Sequence, residues 1–250
     1  MSKAGWIRTF VLVAFFGAVE ALCRTGVISP KLVIAPSAMV QAMVKLLGSG
    51  ELNADIGETL SSVGIAMTLS IVGGFALGCV LYWLPPLRRA FDPFLAAYYS
   101  LPHFAFYPLL IVIFGLGSLP LIVLATLFAM VAMIMATLTG LDRIPRVLIK
   151  TARMQRLSLV SEIWHIRLPA AAPHLFSGLK LAVTYSFIGV IAGEFVQAGS
   201  GIGHAIAFAY NSFDNPTMYG LMILLFGTVG TINMILWTWE QRLYARRGGR

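Results

Sequence analysis

Charge is what this sequence has least of. Only 11% of its 250 residues are Asp, Glu, Lys or Arg, against 58% apolar, and the mean hydropathy is +0.85. A soluble domain carries about a quarter of its residues charged, so that class is excluded. The two cysteines, Cys23 and Cys79, lie in or beside apolar runs, which supports neither a disulfide framework nor a thiolate cluster. The four histidines, His103, His165, His174 and His204, show no i, i+4 pairing and no Cys or acidic companions, so no metal site is expected. No loop ending in Gly-Lys-Ser or Gly-Lys-Thr is present, so ATP hydrolysis is not expected of this chain. Gly199-Ser200-Gly201-Ile202-Gly203 follows an apolar helix rather than a strand, and reads as a surface or re-entrant turn. No acid, base or metal set marks a membrane-embedded enzyme, and no internal repeat supports a self-contained secondary carrier. Glu20 and the lack of a small-x-small site argue against a cleaved signal peptide, and Leu22 before Cys23 against a lipoprotein site.

What remains is an all-α polytopic membrane protein, one bundle over residues 1–250, with room for about five to seven spans. The runs give six: Trp6 to Cys23, Thr59 to Leu84, Phe94 to Leu116, Leu121 to Thr139, Leu175 to Val196 and Met218 to Trp239. Residues 24–58, with Pro30 and Pro36, read as an external loop holding an amphipathic helix from Pro36. Gly74 and Gly78 let a neighbouring helix approach closely. Pro85-Pro86 stops the second span, and residues 85–93 read as a short turn with Arg88 and Arg89. Pro102 and Pro108 inside the third span free backbone carbonyls, tolerable where the helix faces protein or a water-filled path.

Six spans put both ends and the loops after spans two and four on one side. That side holds fourteen Lys or Arg and the other three, Arg24, Lys31 and Lys45, with Lys180 inside span five. The excess makes both termini and residues 140–173 cytoplasmic. The net charge of +8 thus reflects orientation in a membrane, not nucleic acid.

The stretch from Asp142 to Pro173 is the longest polar interval, holding six basic residues and two acids. It predicts two helices outside the bilayer, one capped by Asp142 with Pro145 in its first turn, one capped by Ser158 and ending before Pro169. Leu159, Glu162, Ile163 and Ile166 would share one side, with Trp164 and His165 toward another. Fixing topology and touching anionic lipid is the plain account of such a loop. Docking a soluble partner is the sharper one.

Residues Ala152, Ser158, Trp164, Ile166, Leu168, Pro169, Ala170, Ala171, Pro173 and Gly178 form a pattern. Pro36-Ser37, Gly74 to Gly78, Phe91-Asp92-Pro93, Pro102, Pro108-Leu109, Phe114 to Gly117, Gly193-Glu194-Phe195 and Gly201-Ile202-Gly203 extend it. With these residues the chain resembles the inner-membrane permease subunits of binding-protein-dependent ABC importers, particularly the sulfonate, taurine and nitrate branch. The resemblance implies a non-catalytic subunit of the bacterial cell inner membrane, without a cofactor of its own. Its partners would be ABC ATPase subunits that bind ATP and Mg, a second permease copy or paralogue, an extracytoplasmic substrate-binding protein and membrane lipid. It implies a small anion as cargo, with neutral or aromatic vitamin-precursor-like solutes as the alternative.

It also implies a cytoplasmic coupling helix between spans four and five, with Lys150, Ala152, Arg156, Ser158, Glu162, Trp164, His165, Leu168 and Pro169 as coupling residues. Lys150 stands where that family has Glu, and Arg156 where it has Gly. The first reverses the sign of any ion pair there, and the second lacks glycine's freedom at positive φ, so a different turn is expected. Ala132 and Ala136 replace a proline and an asparagine common in the family. Pathway candidates are Tyr98, Tyr99, Pro102 and His103, with the neighbouring aromatics Phe104, Phe106 and Tyr107, and the in-span charges Lys180 and Glu194; for the aromatics bundle packing is the main reading. For Glu194 the main reading is a scaffold bond between helices, and for Lys180 snorkelling to the cytoplasmic surface.

Overall fold

A computed structural model describes residues 3–29, 32–197 and 199–248, and all regular elements among them are helical. Pro30, Lys31 and Arg250, used above for the external loop and the charge count, lie outside the described residues. In order the helices are α1 (Lys3–Arg24), α2 (Pro36–Ser49), α3 (Asn53–Trp83), α4 (Pro85–Ala97), α5 (Tyr107–Phe114), α6 (Ser118–Asp142), α7 (Arg146–Met154), α8 (Leu159–Glu162), α9 (Leu168–Gln197), α10 (Ile202–Asn211) and α11 (Asn215–Gly248). Two short 3₁₀ turns separate α4 from α5, and a π turn at Ile163–Arg167 joins α8 to α9.

Among the described residues five helices are long and apolar enough to cross a membrane, and six spans result if the bent α4–α5 pair counts as one. That pair corrects two expectations. Residues 85–93 are not a turn. Pro85 sits where a helix begins, so its missing N–H costs nothing, and Leu84 alone separates α4 from the end of α3. The third span is not one rod from Phe94 to Leu116, because the chain bends by 98° at the break between Ser100 and His103. Leu101 is forced extended, ψ 137°, by the proline that follows it, and Pro102 has ψ 83°.

The described chain divides into two compact units. The first comprises Met1–Thr59 and Glu194–Thr228. In it Ile202, Ile206 and Leu221 form a core with Leu46 and Ile56. Gly220 lets α11 approach the α2 backbone, since a Cβ there would lie 3.0 Å from the Met43 nitrogen. The Glu20 carboxylate ties α1 to α2, accepting from the Ser37 N–H at 3.0 Å and the Ser37 hydroxyl at 2.6 Å. It thereby satisfies a helix N-terminus whose own N-cap, Ala35, has no side-chain acceptor.

The second unit comprises Leu60–Gly193 and Val229–Arg250, with α6 at its centre. On one side of α6, a Cβ on Gly74 would lie 2.7 Å from the Met130 carbonyl oxygen, and one on Gly78 2.7 Å from the Thr137 Cβ. The small-residue spacing seen in the sequence is therefore an intramolecular contact. On another side α9 meets α6 through Gly178 at Ala136 and Gly189 at Ala125. Val63, Ile122, Val183, Phe187 and Val190 close an apolar core around these approaches.

Candidate coupling surface and solute pathway

The interval after α6 departs from expectation at its start. Asp142 is the last residue of α6 and does not cap α7; its carboxylate takes both terminal nitrogens of Arg88 at 2.9 and 2.7 Å, a bidentate clamp to α4. The N-cap of α7 is Pro145, with no side-chain bond. At the other end α7 closes as a Schellman turn. The Leu157 N–H donates to the Ala152 carbonyl at 3.1 Å and the Arg156 N–H to the Arg153 carbonyl at 3.1 Å. Arg156 occupies the left-handed position, φ 51°, where glycine is usual. The substitution does not change the turn, contrary to expectation. The two backbone bonds of the turn outweigh one residue's left-handed strain, which costs about 1–2 kcal/mol.

Ser158 caps α8 as expected, its hydroxyl accepting from the Ser161 N–H at 3.3 Å. The helix does not end before Pro169. It runs on through the π turn into α9, so that Leu159–Val196 is one continuous helix. Pro169 offers no N–H and its ring crowds the carbonyl four residues back. The Leu168 N–H instead reaches five residues back to the Ile163 carbonyl, and the widened turn lets the helix pass the proline.

Glu162 is buried, and Arg167 Nε donates to it at 2.7 Å. The same guanidinium stacks over Trp83 of α3, 4.7 Å from the ring centroid. This inner face is tied to α3. The outer face is apolar and uncovered: Trp164 is 66% exposed, with Leu159 and Val160 similarly open and Met154 at the end of α7 beside them in sequence. A groove of about 330 Å³ lined by Leu148, His165, Ile166, Pro169 and Ala170 runs between α7 and the π turn. His165 Nδ1 lies 3.0 Å from the Ser161 carbonyl oxygen. Lys150 is exposed, Ala152 is buried and Leu168 is half-buried. Among the coupling candidates Glu162 and Ala152 are buried and Trp164 and His165 exposed, and His165 and Pro169 share the groove with Leu148 of α7.

The pathway candidates separate into three places. Tyr98, Tyr99 and His103 gather with two residues that sequence reading missed, Phe128 and Tyr185. The His103 ring lies 4.4 Å from Tyr98 and 4.9 Å from Phe128, and Phe128 lies 4.9 Å from Tyr185. Pro102 makes the break that turns these rings toward α6 and α9. Lys180 is elsewhere, its ammonium donating to Glu240 at 2.6 Å across α9 and α11. Glu194, in the first unit, is 2% exposed. Its carboxylate accepts from the Thr59 hydroxyl at 2.8 Å and from the Gly203 N–H at 2.9 Å. Thr59 Oγ1 in turn accepts from the Ile202 N–H at 2.8 Å, and Asp55 from the Gly201 N–H at 2.8 Å. The N-cap of α10 is Gly201, which has no side chain, so Thr59 and Glu194 supply the missing acceptors. No signal local to the sequence marks Thr59, Asp55 or Glu240, because each partner is far along the chain. Among the described residues no group of three or more His, Cys, Asp or Glu is placed to hold a metal ion.

Long apolar helices, a buried acid clamping a glycine turn and an uncovered apolar helix face describe a multi-span membrane protein. Residues 70–247 match the family described as binding-protein-dependent transport system inner membrane component, and the chain belongs to that family. A nitrate import permease protein of Leptolyngbya laminosa is 29% identical over 71% of this chain, a match that spans 63% of that protein, under two thirds of its length. An aliphatic sulfonates transport permease protein of Bacillus subtilis is 27% identical over 92% of this chain and 83% of its own length. The taurine transport system permease protein of Escherichia coli is 25% identical over 73% of this chain and 68% of its own. In fold, the chain is similar to the MetNI methionine ABC transporter in an inward-facing form, with TM-score 0.66 and 20% identity over 82% of this chain and 97% of that one.

Proposed function

We propose that this chain is the permease of an ABC importer of a bacterial inner membrane, a single domain over 1–250 with both termini cytoplasmic. It pairs with a second copy or a paralogue, receives a small solute from an extracytoplasmic binding protein, and is driven by separate ATPase subunits that hold ATP and Mg. The observation that carries this reading is the apolar face of Leu159, Val160 and Trp164, uncovered at the start of a helix continuous with span five. A wedge of this kind, inserted in a groove of a moving ATPase, would displace span five directly, since no flexible link intervenes. Glu162 and Arg167 hold the wedge from behind, and Lys150 and Arg156 present positive charge to the partner.

Trp164→Ala tests the reading. With the ATPase subunits and binding protein in proteoliposomes, solute uptake and solute-stimulated ATP hydrolysis should both fall about tenfold or more, the size of one lost aromatic anchor, while the permease still inserts. Unchanged uptake would remove Trp164 from the coupling surface. For the cargo, the relatives' names favour nitrate-, sulfonate- or taurine-like solutes. An uncharged or aromatic solute is the second reading, and one cavity favours it.

A further inference from the structure

In the second unit, α6 and α9 line an open-mouthed cavity of about 310 Å³, with Thr139, His174 and Ser177 among its walls together with Tyr99 and Tyr185. That volume is at the lower end of sites for small organic ligands. No Lys, Arg, Asp or Glu lines it. The nearest in-span cation in the sequence, Lys180, is engaged by Glu240 and adds no free charge. Tyr99 and Tyr185 are 5.5 Å apart between centroids and are backed by Phe128, against which His103 packs. Ring faces carry negative potential, and an anion set against them gives up part of its hydration with no Lys or Arg beside it, the His174 imidazole being the one basic group in the lining. Aromatic surface with a few hydroxyls and one imidazole suits a planar solute with hydrogen-bonding edges instead.

Packing alone does not account for this cluster. His103 is 8% exposed and its Nε2 has no protein partner. A buried polar atom without a partner is unfavourable, and a phenyl ring of similar size would fill the site without that penalty. His103 is not one of the lining residues; it stands behind Tyr99 and Phe128, so it meets a bound solute only when those rings shift.

We propose that this cavity is a solute subsite of the translocation pathway, selecting an uncharged, planar heteroaromatic solute over small inorganic or sulfonate anions, with Tyr99 and Tyr185 contacting it and His103 as the polar group behind them. The proposal rests on the permease reading given above. Its test uses the assembled transporter in nanodiscs, with thermal midpoints recorded against nicotinamide and cytosine as neutral planar probes and methanesulfonate and nitrate as anionic ones. The heteroaromatics should raise the midpoint with half-effect at concentrations about tenfold or more below those of either anion. Tyr185→Phe, which keeps the ring, and His103→Phe, which keeps the packing, should each raise the half-effect concentration of the heteroaromatics about tenfold while the midpoint without probe stays level or rises. An anion acting at equal or lower concentration overturns the proposal, as does the absence of any shift with both heteroaromatics. Heteroaromatic shifts untouched by both substitutions overturn the placement of the site. Retention of ATPase subunits in the same nanodisc sample is read separately, so a failure of the permease reading is not confused with a failure of the subsite.

Discussion

Removing the Glu194 carboxylate should uncouple α10 from the helices on either side of it. Two donors converge on that carboxylate, the Thr59 hydroxyl and the Gly203 N–H, both buried. Glu194→Ala leaves both without an acceptor, at about 1–3 kcal/mol each, and opens a hole where the side chain lay. A total loss of about 2–6 kcal/mol follows from two such donors, enough to unfold many domains locally. Glu194→Gln keeps one acceptor oxygen and the volume but loses the charge, so its loss should be about half as large, reflecting the difference between charged and neutral hydrogen bonds. The assay is thermal unfolding of the purified permease in nanodiscs, with limited proteolysis between Val196 and Ile202 as a local readout. Alanine should lower the midpoint most and expose the Gly199 to Gly201 turn to protease; Thr59→Val should do the same, and the double variant should lose less than the sum because the three groups share one network. An alanine variant within about 0.5 kcal/mol of the parent, the usual range of surface substitutions, with the turn still protected, would refute the reasoning.

Further outcomes follow from the same geometry. Arg156→Gly should stabilise by about 1 kcal/mol, relieving a left-handed residue while keeping the Schellman turn, and a rise in the midpoint of the purified permease checks it. Lys180→Met should cost about 3 kcal/mol by stranding the buried Glu240 carboxylate, whereas Lys180→Met with Glu240→Leu should recover most of the loss; the double-variant midpoint decides. Gly74→Ala should destabilise by about 1–3 kcal/mol because its Cβ would meet the Met130 carbonyl, which belongs to backbone and cannot swing away.

The helical class and the span count were legible because apolar runs and prolines act locally. So were the Ser158 cap and the glycine approach at Gly74 and Gly78, since each depends on residue type at a fixed offset. The continuity of α8 with α9 was not, because proline in a sequence reads as a stop while the π turn that lets a helix pass Pro169 has no residue signature of its own. Asp142 shows the same limit: a residue suited to capping was drawn to Arg88, fifty-four positions away, by a bidentate bond worth more than a cap. Arg156 shows that a turn secured by two backbone bonds survives loss of its preferred glycine. Of the site, Tyr98, Tyr99 and His103 could be picked out as aromatic residues next to Pro102, but Phe128 and Tyr185 join them only through the packing of α6 and α9.

The most direct measurement is uptake by proteoliposomes holding the purified chain, with and without its ATPase subunits, across imposed ion gradients. Accumulation that needs the ATPase subunits and ATP, and that ion gradients alone never produce, is the predicted result. Accumulation by the chain alone, powered by a proton or sodium gradient, would contradict the account.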